Sequence, residues 1–147
     1  MKRFHFPLGR VLALRQTQAE LEAARLQRLD AERSAINRER LELAESGQAA
    51  DRAVLGSAAL EAHELAALTA HRSYVSKQDR KLQARSEEVE RRIAAQVVEV
   101  TEARRRVRLL EKLRERRRAE RQAACDREQE ETATEVFLAR WRERRRN

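Results

Sequence analysis

Few side chains in this 147-residue sequence have chemistry to offer. His63 and His71 are eight positions apart, about 12 Å along a helix. That is too far to share a metal ion, and both read as solvated helix residues. The lone Cys125 stands among Asp126, Arg127 and Glu128 with no histidine near it in sequence, so it reads as structural. There is no Gly-rich phosphate loop, no HExxH and no paired-cysteine motif. Carboxylates abound, but acid–base work needs a pocket that brings two of them together. Most read instead as helix-surface charges pairing with arginines three or four residues away. The expectation is a non-enzymatic protein with no catalytic set, metal ligands or cofactor.

What remains is chemistry of association. Residues 104–121 carry ten basic side chains against three acidic ones, a net charge of +7. The stretch from Arg140 to Arg146 adds a further +4. A cationic helix binds phosphates without sequence preference. However, no aromatic residue for base stacking lies in the run, and Glu111, Glu115 and Glu120 interleave. A solvated face, an acidic protein partner and nucleic acid all stay open, with nucleic acid the least favoured. Two aromatic groups stand apart from any core pattern. Phe4 and Phe6 precede the first helix, where they could cap a coiled coil. Phe137 and Trp141 are four apart, on one helical face, and exposed aromatics mark interfaces.

These residues are positioned by long helices. Leu68, Val75, Leu82, Val89, Gln96, Ala103 and Leu110 recur every seven positions, with Gln96 the one polar rung. Ile93, Val100 and Val107 form a second rail, continued upstream by Arg72, Asp79 and Ser86. Steps of four and three define a heptad that buries a narrow stripe against another helix. Past Leu113 both rails turn mostly charged, while the helix-favouring composition continues. In the first half, Val11, Leu14, Gln18 and Leu21 share a face. After Arg25 the stripe shifts by one residue and resumes at Leu29, Ile36, Leu43 and Ala50. The stems of Arg25 and Arg33 can lie over that seam.

Pro7 suits a first helical turn. Glycine is costly inside a helix, so Ser46-Gly47 and Gly56-Ser57 mark a weakening, with Ser57 a plausible N-cap. The midpoint between Leu8 and Leu113 falls in the same region. The expected fold is all-α: an antiparallel two-helix coiled-coil hairpin with an extended C-terminal helix. It forms one domain, with helix 1 over about 8–54, a turn over 55–63 and helix 2 over 64–143. The rival architecture is one continuous helix in a parallel homodimer.

Charged residues make up 39% of the chain and aromatics 3%, with three glycines and one proline. This profile fits long helices rather than a thick core. No apolar run approaches the roughly 20 residues that span a bilayer. Met1-Lys2-Arg3 resembles the basic start of a signal peptide, but no apolar region follows it. With one cysteine, a cytoplasmic protein is expected.

Phe4-His5-Phe6-Pro7-Leu8, with Val11-Leu12-Ala13-Leu14-Arg15, resembles the start of the FliJ family of flagellar type III export proteins. His71-Arg72-Ser73-Tyr74-Val75 is similar to that family's second-helix start. Leu109-Leu110-Glu111-Lys112-Leu113-Arg114-Glu115-Arg116 resembles its most recurrent segment, and the stretch from Glu128 to Arg140 its charged tail. Thr134-Glu135 stands where the family usually has an Asp-Glu pair. The resemblance implies a coiled-coil stalk whose terminal segments enter a hexameric export ATPase and promote its assembly and hydrolysis. It also implies contact with the export-gate cytoplasmic domain and with substrate chaperones, and membrane association only through these partners. Phe4, Phe6, Leu110, Leu113, Phe137 and Trp141 would serve the ATPase side, and Tyr74 the gate. The alternatives are a basic coiled coil that binds nucleic acid and a homodimeric structural protein.

Overall fold

A computed structural model describes residues 4–59 and 61–146. Met1-Lys2-Arg3, and Leu60 of the expected turn, lie outside the described residues. Two helices make up the fold, α1 (Gly9–Leu55) and α2 (Ala62–Arg146), packed against each other with no strand among the described residues. The chain is thus an all-α antiparallel helical hairpin. The second helix starts earlier and runs further than the sequence spacing suggests. By packing, the chain divides into two compact units: Glu20–Glu102, and Met1–Ala19 with Ala103–Asn147.

The first unit contains the turn and most of the buried apolar residues. Leu29 and Ile36 of α1 and Leu68, Val89 and Val100 of α2 are buried, Ile36 completely. Cross-helix contacts run in opposite senses along the two helices, which defines the antiparallel pairing. Asp51 meets Arg72 at 2.8 Å, Gly47 faces Val75, Arg40 meets Asp79 at 2.9 Å, and Arg92 lies 3.4 Å from Glu32. These ion pairs flank a thin apolar stripe. Each is substantially exposed, so together they set register more than they add stability.

The seam differs from its sequence reading in both helices. In α1, Glu22, Leu29, Ile36, Leu43 and Ala50 form one unbroken seven-residue rail, and Leu26, Arg33, Arg40, Gly47 and Val54 form the other. The expected shift after Arg25 does not occur, and Leu21 is exposed. A continuous heptad outweighs a locally apolar face, because the rest of the rail is already committed to α2. In α2, Arg72 is exposed and the second rail passes through His71 and Gln78 before rejoining at Ser86, which is buried. A straight helix drifts relative to a strict seven-residue repeat, and this one-residue slip absorbs the drift. His71 is therefore a half-buried seam residue and not a solvated one. Its Nε2 is buried without a hydrogen-bond partner, and its ring stacks on Tyr74 at 6.4 Å.

The turn also departs from expectation. Gly47 does not interrupt α1, which continues to Leu55. The Gly56 and Ser57 amides close the last turn on the Arg52 and Val54 carbonyls. The Ser57 hydroxyl donates to the Ala59 carbonyl at 2.7 Å and does not cap α2. Glu61 is the N-cap: its carbonyl accepts from the Glu64 and Leu65 amides, and its own amide donates to the Glu64 carboxylate at 3.2 Å. This is the reciprocal half of a capping box, and the acid also favours the positive helix end.

In the second unit the first turns of α1 lie against α2, with Leu12 buried and Val107, Leu110 and Leu113 half-buried. Val11 and Leu14 point outward, because the rail here runs through Leu12, Arg15 and Ala19. Beyond Cys125 every described side chain of α2 is exposed. The helix outlasts the stripe that pairs it.

Candidate partner-binding surface

In the second unit the helix pair is left with a net positive charge that its own acids do not balance. Residues 1–19 contain no acidic side chain, and the opposing 104–121 run carries +7. In the first unit, arginines on the flanks meet carboxylates of the other helix. In the second, Gln16 Nε2 donates to Glu111 Oε1 across the pair at 3.4 Å, an amide–carboxylate contact that brings no charge from α1 to offset the basic run. Arg117 pairs with Glu120 one turn on. Arg104, Arg106, Arg108, Lys112, Arg114, Arg116 and Arg118 are exposed and in no ion pair among the described residues. Like charges on paired helices repel, and an anionic partner relieves that repulsion while being steered toward it.

The aromatic segment before α1 folds over this basic surface. The Gly9 amide donates to the Phe6 carbonyl at 3.0 Å, and Pro7 occupies the first turn, where its missing N–H is no loss. Phe6 is half-buried. The Arg121 guanidinium carbon sits 6.0 Å from the centre of the Phe4 ring, at the outer limit of a cation–π contact. An open pocket of about 690 Å³ lies between Phe4, Phe6, Leu12 and Arg114. Phe4 also closes one end of a longer open groove along α2, whose floor includes Cys125, Ala133, Val136 and Phe137.

The candidate residues thus fall into three settings. Phe4, Phe6, Leu110 and Leu113 all belong to the second unit, but Leu110 and Leu113 are half-buried seam residues. They hold the helix pair together and offer a partner only an edge. Phe137 and Trp141 stand free on the unpaired part of α2, Phe137 68% exposed, and the Arg145 guanidinium lies 4.2 Å from the Trp141 ring centre. Tyr74 belongs to the other unit, exposed and backed by His71. Val136 and Leu138, also exposed, widen the apolar cluster around Phe137. Their adjacency to Phe137 in sequence was the available signal. The absence of acids before Glu20 was equally readable and is what leaves the 104–121 run uncompensated.

Among the described residues no group of three His, Cys, Asp or Glu side chains could hold a metal ion, and no helix is long and apolar enough to cross a membrane. What the arrangement offers is binding: a cationic helix pair, an aromatic segment laid over it, and a bare helix with an apolar cluster. Compared with family models, curated proteins and solved structures, the chain matches none.

Proposed function

We propose that this chain is a non-enzymatic stalk and adaptor of a flagellar type III export apparatus, inserted into a hexameric export ATPase and promoting its assembly and hydrolysis. One observation carries the reading. An unpaired stretch of α2 bearing exposed Phe137 and Trp141 continues directly from a helix pair with a large surplus of unpaired arginines. A narrow helical element fits inside a ring of subunits where a globule does not. Surplus positive charge suits an acidic sleeve and speeds encounter. The resemblance of the opening, central and Leu109–Arg116 segments to the FliJ family supports the same assignment. On this reading Tyr74 faces the export gate, and chaperones for export substrates dock on the same adaptor. The protein works in the cytoplasm, at the membrane face only through its partners.

The direct test adds the purified protein to the export ATPase of the same organism and counts hexameric rings by electron microscopy. An increase in rings is expected. An unchanged ring population would overturn the stalk reading.

A further inference from the structure

The unpaired part of α2 carries two opposite charge blocks that its own helix cannot neutralise. Asp126, Glu128, Glu130, Glu131 and Glu135 share one stretch with a single basic residue, Arg127. Asp126, Glu128 and Glu135 have no basic residue three or four positions away, and Glu130 and Glu131 must share Arg127. Arg127 itself donates to the Ala123 carbonyl. The second block, Arg140, Arg142, Arg144, Arg145 and Arg146, contains one acid, Glu143. Among the described residues none of Glu128, Glu130, Glu131, Glu135, Arg140, Arg142 and Arg144 forms an ion pair. Between the blocks lie Val136, Phe137 and Leu138, with Trp141 one turn on, all exposed.

We propose that this segment binds a second copy of the chain, tail to tail and antiparallel, with the two-fold axis near Phe137. The charge order selects both the partner and the orientation. A parallel pair would set acid against acid and base against base, which destabilises. An antiparallel pair centred on Phe137 sets each acidic block against the other copy's basic block, and it brings the two apolar clusters together at the axis. The part of the groove from about Glu128 to Arg140 is then covered by the other copy. A helix this polar gains most of its stability from packing rather than from propensity. This self-association goes beyond the stalk reading and competes with it: the dimer hides Phe137 and Trp141, and a ring must displace the second copy to reach them.

The test measures the mass of the full chain in solution at low and high salt. A dimer is expected at low salt, falling to monomer at about 1 M salt, where charges are screened beyond roughly 3 Å. Glu130→Lys with Glu131→Lys should give a monomer at both salts, and adding Arg142→Glu with Arg144→Glu should restore the dimer. Native Cys125 supplies the orientation. Spin labels there should lie about 35 Å apart in the antiparallel pair, at 1.5 Å per residue, and under 20 Å in a parallel one. A monomer at low salt, a dimer indifferent to the charge reversal, or a short label distance would each overturn the proposal. None of these outcomes depends on whether an ATPase responds to the protein.

Discussion

The side-chain amide of Gln96 reaches across the helix pair to grip Glu22 twice, donating to its backbone carbonyl at 3.0 Å and to its carboxylate at 2.6 Å. The one polar rung of the α2 ladder therefore meets a charged rung of α1, and each accounts for the other. Arg25 adds a second donor to the same carboxylate at 2.7 Å. A polar pair at a seam costs stability relative to leucine but penalises slipped registers, in which the amide would face an apolar residue.

This contact makes part of the stability pH-dependent. The Gln96 hydrogen bond is the main cause holding the Glu22 carboxyl below its usual value of 4.5; partial desolvation opposes it and Arg25 assists. A carboxyl lowered in the folded state stabilises the fold above its unfolded value. That contribution is lost as pH falls through the lowered value. Gln96→Leu, which leaves the Glu22 carboxylate facing an apolar residue, should lower the melting temperature at neutral pH and shrink the further loss on going to about pH 3. An acid-induced loss equal in wild type and variant would contradict the assignment.

His71 carries a buried Nε2 with no partner. An unsatisfied buried polar atom costs about 1–3 kcal/mol. His71→Leu, at a seam position of the second rail, should therefore stabilise the hairpin by about 1 kcal/mol, read as a higher urea midpoint with unchanged slope. A lower midpoint would mean that the imidazole makes a compensating contact.

Gly47 lies inside α1, not at its end. A Cβ built there would meet Val75 methyl groups at 3.6 Å and 3.8 Å, ordinary contact distances. Gly47→Ala should stabilise by about 1 kcal/mol, the usual helix-interior difference. A larger residue would press on Val75, so Gly47→Leu should destabilise. Thermal melts followed by circular dichroism separate the two directions.

Phe137 and Trp141 are exposed on a stretch of α2 whose described side chains are all exposed. Replacing both with Ala should leave helicity at neutral pH nearly unchanged, since Ala is the better helix former. By contrast Ile36→Ala, at a fully buried position, should cost about 3 kcal/mol. A large loss of helical signal in the double variant would give the two aromatics a structural role.

The regular part of the fold was readable because one rail of α2 repeats an apolar residue every seven positions from Leu68 to Leu110, broken only at Gln96, and Ile93, Val100 and Val107 supply the other. Antiparallel pairing followed from where that ladder ends. The α1 register was harder, because Val11, Leu14 and Leu21 form a locally apolar face, while the true rails carry Arg15, Glu22 and Arg33. Only the partner helix decides between them. Glu61 was hidden as a cap because Ser57, the better capping residue by type, lies four positions earlier. At the candidate surface the exposed aromatics were evident from spacing. The approach of Phe4 to Arg121 was not, since it depends on where the segment before α1 comes to rest.

Steady-state hydrolysis by the cognate export ATPase, with and without this protein, addresses the stalk most directly. The wild-type chain should raise the rate several-fold. The Phe137→Ala, Trp141→Ala variant should lose most of that stimulation while keeping its helicity. A rate unchanged by the wild-type protein, or raised equally by the double variant, would contradict a stalk that acts through the bare end of α2.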